Sequence, residues 1–187
     1  METTSLRCYD CPKGLHAIVF LLVMLSISTQ SVDAMTADLA PQHFRVSVAA
    51  DNVKNDWQYA VAYQLRPPRR LRARHLELAI GAIAATSQTH AFVSLGPVWQ
   101  LPLARGNDRW LMQLGFSPTL LTGSTINGRD MGGKIHFTSS ASFGATLGEQ
   151  RTLSIALRVQ HMSNGGINRT NPGLDMIGLT LSYDFDR

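Results

Sequence analysis

The stretch Leu153-Ser154-Ile155-Ala156-Leu157-Arg158-Val159-Gln160-His161-Met162-Ser163 decides the fold, together with the run that answers it, Leu174-Asp175-Met176-Ile177-Gly178-Leu179-Thr180-Leu181-Ser182-Tyr183-Asp184-Phe185. Leu153, Ile155, Leu157 and Val159 are apolar at every second position, and Ile177, Leu179, Leu181, Tyr183 and Phe185 repeat the pattern. Successive side chains point to opposite faces of a strand, so each run is a β-strand with one apolar and one polar face. Between them lie Asn164-Gly165-Gly166 and Asn171-Pro172-Gly173, which are turn residues, so the two strands form a hairpin.

Working back toward the N-terminus, the same period of two recurs and no helical period of useful length interrupts it. Eight strands are predicted: 44–50, 57–65, 72–83, 91–101, 109–121, 134–147, 152–163 and 174–185. One face of each is apolar, as in Phe44, Val46, Val48 or Trp57, Tyr59, Val61, Tyr63, Leu65. The other is polar or small, as in Gln58 and Gln64, His75 and Glu77, Gln113 and Ser117, or Ser154, Arg158 and Gln160. Such alternation fits a soluble sandwich with its apolar faces inside, or a membrane barrel with them outside.

Features beyond periodicity favour the barrel. Arg7 and Lys13 precede an uncharged apolar stretch from Leu15 to Ile27, which reads as a signal peptide cleaved after Val32-Asp33-Ala34. Residues 1–34 are therefore expected to be a targeting segment and 35–187 the barrel domain. A retained membrane helix fits less well, since the apolar core falls short of the ~20 residues a bilayer requires. Cys8 and Cys11 both fall in the targeting segment, so the remaining chain has no thiol for a disulfide, a metal site or a nucleophile. The strand number is even, the strands have the length of membrane strands, and Trp57, Tyr59, Trp99, Trp110, Tyr183 and Phe185 lie near strand ends. Those aromatics are either interfacial girdles or ordinary packing. The expected fold is all-β: an eight-stranded antiparallel up-and-down transmembrane β-barrel in a Gram-negative outer membrane.

A barrel of eight strands is filled by its own side chains, which argues against a channel. Glu77 and Arg158 are a candidate lumenal pair, the alternative being that each meets other polar groups or water. Arg66, Arg69, Arg70, Arg72 and Arg74 cluster around one turn on the periplasmic side, as solvated or headgroup-contacting cations. Without residues 1–34 the chain keeps 15 basic and 10 acidic side chains. That modest excess suits an anionic lipid headgroup better than nucleic acid, which an exported chain does not meet.

The last hairpin carries the candidate chemistry. Continued in register, His161 and Ser163 share the apolar face of their strand, and Asp175 shares that of the next. If the turn centres near Asn168, Asp175 lies opposite His161. A base, a nucleophile and a carboxylate then point toward lipid at the outer leaflet, the roles of a Ser-His-acid esterase. Asn164 and the Gly165-Gly166 backbone are placed to donate to an oxyanion, and they are equally plain turn residues. The bland alternative is that His161 and Ser163 are polar residues at a strand end and Asp175 a loop-edge charge. On that alternative the barrel is a non-enzymatic one, serving adhesion or membrane structure; a third option is an esterase of phospholipid.

The sequence His161-x-Ser163-Asn164-Gly165, the loop with Asn171-Pro172-Gly173, the acid fourteen residues after the histidine and the preceding Lys134-Ile135-His136-Phe137-Thr138-Ser139-Ser140-Ala141-Ser142-Phe143-Gly144 resemble the PagL family of lipid A 3-O-deacylases. The resemblance is specific over about Gly132 to Phe185 and architectural before that. It implies hydrolysis of the 3-position ester of lipid A, within lipopolysaccharide, releasing a 3-hydroxy fatty acid without metal or cofactor. It further implies Ser163 as nucleophile, His161 as base and Asp175 as acid, with Asn164 and Gly166 near the oxyanion. The resemblance leaves a homodimer open. This chain has Asp175 where the best-known members have glutamate, a carboxylate one methylene longer.

Overall fold

The computed structural model describes residues 41–51, 56–67, 72–101, 103 and 109–185. The expected targeting segment, with Cys8 and Cys11, lies outside them, as do Arg69 and Arg70. Eight long strands are present: β1 (Pro41–Asp51), β2 (Trp57–Leu65), β3 (His75–Ala84), β4 (Thr89–Leu101), β5 (Trp110–Leu121), β8 (Ile135–Leu147), β9 (Leu153–Ser163) and β10 (Leu174–Asp184). Every long strand pairs antiparallel with its neighbours in the chain, and β1 pairs with β10, so the sheet closes into a barrel. The expected strand bounds agree within three residues.

Between β5 and β8 the structure adds a small hairpin that the period-two reading passes over, β6 (Thr125–Ile126) and β7 (Arg129–Asp130). Its turn is Asn127-Gly128, both at positive φ, 49° and 77°. That is the conformation of a two-residue type I′ hairpin, which Asn-Gly adopts at little steric cost.

Polarity settles the choice between sandwich and barrel. Ile80, Val93, Leu95, Leu114, Phe116, Leu120, Leu157, Ile177 and Leu179 are exposed, whereas Arg45, Gln58, Gln64, Glu77, Gln113, Ser117, Ser142 and Thr180 are buried. A continuous apolar exterior of this kind is unfavourable in water and matches hydrocarbon, so this is the polarity of a bilayer-spanning barrel. Trp57, Trp99, Trp110, Tyr183 and Phe185 are all exposed on the outside, and Trp110 stacks on Phe143 with centroids 5.5 Å apart.

Inside, polar groups satisfy one another. The Glu77 carboxylate accepts from Arg45 Nη1 at 2.7 Å, Gln64 Nε2 at 2.8 Å and Arg158 Nη1 at 3.1 Å. Arg45 also donates to Gln113 and Ser182. The expected Glu77–Arg158 pair is present, with Arg45 as a second cation across the lumen. Cavities around this layer measure ≈ 60 and ≈ 30 Å³, room for a water or two rather than a pore.

Toward the end where the β1–β2, β3–β4, β5–β8 and β9–β10 connections lie, the lumen turns apolar. Ile83, Phe92, Leu121, Met162, Leu174 and Met176 form a buried cluster, completed by Ile126 and Met131 from the β5–β8 connection. The barrel is thus stoppered at that end by its own loop.

Candidate active site

Strand parity and register place His161. It follows Val159 in the outward row of β9, and its partner on β10 is Asp175, as the hairpin reading expects. The imidazole meets the carboxylate directly: His161 Nδ1 and Asp175 Oδ1 are 2.7 Å apart. Both side chains are accessible, 50% and 72% exposed, unlike the lumenal ion pairs. With Nδ1 engaged by the carboxylate, Nε2 is the nitrogen left to exchange a proton with another group.

Gly173 makes room for the imidazole. It sits at φ 70°, and a Cβ there would come 2.9 Å from His161 Cε1. Ser139 of β8 lies opposite His161 on the other side, its Oγ 3.5 Å from the His161 carbonyl oxygen. Neither residue is visible as a neighbour in the sequence, because each depends on register across a strand pair.

Ser163 is the last residue of β9, two positions beyond His161 on the same face and paired with Phe137. The ~6.6 Å that separates alternate residues along a strand keeps the two side chains neighbours. The Ser163 hydroxyl has no hydrogen bond among the described residues, so serine and imidazole share one face without being joined.

The two residues expected at the oxyanion are committed elsewhere. Asn164 is fully buried, and its amide donates to the carbonyls of Thr170 at 2.7 Å, Met131 at 3.3 Å and Gly132 at 3.4 Å. Its Oδ1 accepts the Gly166 N–H at 2.9 Å, and its own N–H donates to Asn171 Oδ1 at 2.9 Å. Asn164 therefore holds the loop together. That leaves the Asn171 Nδ2 group and the Gly165 N–H without partners among the described residues.

A groove of about 590 Å³ opens on the outer wall beside the pair, lined by Ser139, Ala141, Val159, His161, Asp175 and Ile177 among others. Small residues of β8 form one side and branched apolar ones of β9 and β10 the other. Among the described residues no cluster of histidine, cysteine and carboxylate side chains is arranged to hold a metal ion.

The fold and these side chains define a class: an outer-membrane β-barrel with a hydrogen-bonded imidazole–carboxylate pair and a serine at the end of one wall strand. The chain belongs to the Lipid A 3-O-deacylase (PagL) family, whose model matches residues 25–184. It is similar to the protein named Lipid A deacylase PagL of Bordetella bronchiseptica, 32% identical over 97 residues, covering 49% of this chain and 53% of that relative. The alignment thus spans about half the relative's length. In fold it is similar to the crystal structure titled for the outer membrane enzyme PagL, with a TM-score of 0.56 at 15% identity, covering 75% of this chain and 98% of the other.

Proposed function

We propose that this protein is an outer-membrane esterase that removes the acyl chain from the 3 position of lipid A, its hairpin end turned toward the outer leaflet. The observation that carries the reading is the 2.7 Å His161–Asp175 pair, exposed on an apolar wall and outside the packed polar lumen. Family membership supports the reaction and substrate.

Ser163 Oγ attacks the ester carbonyl as His161 Nε2 takes its proton. Asp175 holds the Nδ1–H, fixes the tautomer and stabilises the imidazolium that forms. The tetrahedral oxyanion is met by Asn171 Nδ2, whose amide is oriented through its own oxygen, and by the Gly165 N–H. Collapse expels the sugar alkoxide, which recovers the proton from His161, and water then releases the acid by the same route in reverse. The groove below the pair holds the departing acyl chain, which keeps its methylenes out of water throughout.

Mass spectrometry of lipid A from cells producing wild type or Ser163→Ala tests this. Wild type is expected to shorten lipid A by one hydroxyacyl chain and Ser163→Ala to leave it intact. Unaltered lipid A in both, or faster release of fatty acid from glycerophospholipid vesicles, overturns the assignment.

A further inference from the structure

The connection between β5 and β8 does more than stopper the barrel. Arg129 Nη2 reaches Asp51 Oδ2 at 2.7 Å and Asp56 Oδ2 at 3.3 Å, tying the β6–β7 hairpin to the end of β1 and the start of β2. Asn127 adds a bond to Asp56 at 3.2 Å, and Ile126 and Met131 are anchored in the apolar cluster. The segment just beyond this anchor is pressed against the candidate catalytic hairpin. Carbonyls of Met131 and Gly132 receive the Asn164 amide, and the Gly132 carbonyl also receives Asn168. Gly132 sits at φ 73°, and a Cβ on it would overlap the Thr170 carbonyl and the Asn164 amide. Backbone meets backbone here with no space to spare, and Asn164 directly follows Ser163.

We propose that the β5–β8 connection is a strut that sets where Ser163 stands relative to His161, with Gly132 and Arg129 as positioning residues. Arg129 fixes the strut to the barrel wall, and Gly132 transmits that position to the hairpin by contact. The proposal rests on the reading of Ser163 and His161 as a catalytic pair. It needs no particular ester as substrate.

The experiment follows the rate at which a small alkyl fluorophosphonate labels the full-length protein folded in detergent. In that reaction a Ser163 Oγ–P bond forms, the P–F bond breaks, His161 takes the hydroxyl proton and fluoride leaves. Labelling is compared with kcat and KM for lipopolysaccharide, and folding is followed by urea midpoint. Gly132→Ala is expected to fold yet to lower labelling and kcat together by on the order of 10²-fold, the effect of a displacement near 1 Å at a reacting centre, with KM little changed. Arg129→Met combined with Asp51→Asn and Asp56→Asn removes the three charges of this cluster together and is expected to lose labelling by a similar factor. Arg129→Lys, which keeps the charge without the planar fork, is expected to fall between. Labelling at the wild-type rate in folded Gly132→Ala and in the triple variant overturns the strut alone. Wild type that is neither labelled nor active overturns the catalytic hairpin and the strut with it; wild type that is labelled but leaves lipopolysaccharide intact overturns only the substrate.

Discussion

Two carboxylates, Glu77 in the lumen and Asp175 on the outer wall, are each held by side-chain nitrogen and placed in opposite surroundings. Glu77 is gripped by Arg45 and Arg158, with the paired Glu77 and Arg45 side chains each 5% exposed. His161 and Asp175 meet at the same 2.7 Å as Arg45 and Glu77, but stand open. The lumenal carboxylate accepts from three donors and is shut away from solvent, so it is fixed and chemically idle. The outer carboxylate holds one imidazole nitrogen and leaves the other available. What separates the lumenal pair from the outer one is access to a third group, which the proposed chemistry requires.

The comparison breaks most sharply at His161. His161→Ala is expected to lower ester hydrolysis by about 10⁴- to 10⁶-fold with an unchanged urea midpoint, because an exposed side chain is lost from the wall and the general base with it. Asp175→Asn keeps the shape and is expected to lower kcat by about 10³- to 10⁴-fold by favouring the wrong tautomer, while Asp175→Glu retains most of the rate. Glu77→Ala reverses the pattern: two cations are left facing one another in the lumen, and folding should weaken by about 3–5 kcal/mol in urea titrations while turnover per folded molecule holds. The smallest effect concerns Asp56, just before β2. Burial raises its carboxyl above the ordinary range, and Arg129 offsets that only in part. A raised pKa means that the folded state holds this proton more tightly than the unfolded chain. Its contribution is therefore full below the ordinary carboxylate range and fades as pH rises through the raised value. Asp56→Asn should flatten that slope when urea midpoints are compared across acidic to neutral pH.

Most of the barrel was legible because its apolar residues keep a period of two, and because one hairpin register sets Asp175 opposite His161. Glu77 and Arg158 were legible as lumen-facing by parity. Arg45 shares their face, but its place beside Glu77 depends on how the barrel closes, which no local pattern encodes. The β6–β7 hairpin carried a strong local signal in Asn127-Gly128, hidden because strands of two residues have no periodicity to read. Asn164 is a different case. An asparagine beside Ser163 invites a role at the oxyanion, and only the packing of a loop some thirty residues away shows that its side-chain amide donates to backbone carbonyls.

The seam between β1 and β10 also orders events in time. It pairs His43–Asp51 with Met176–Asp184, ends of the barrel that are distant in the chain, whereas every other long-strand contact joins consecutive strands. Contacts of high sequence separation form late. The His161–Asp175 pair belongs to a single hairpin and can assemble early, while the Arg45–Glu77–Arg158 layer, drawn from β1, β3 and β9, awaits closure. An incompletely inserted chain would therefore carry the His161–Asp175 pair before the polar lumen exists, with both strand edges open to mispairing.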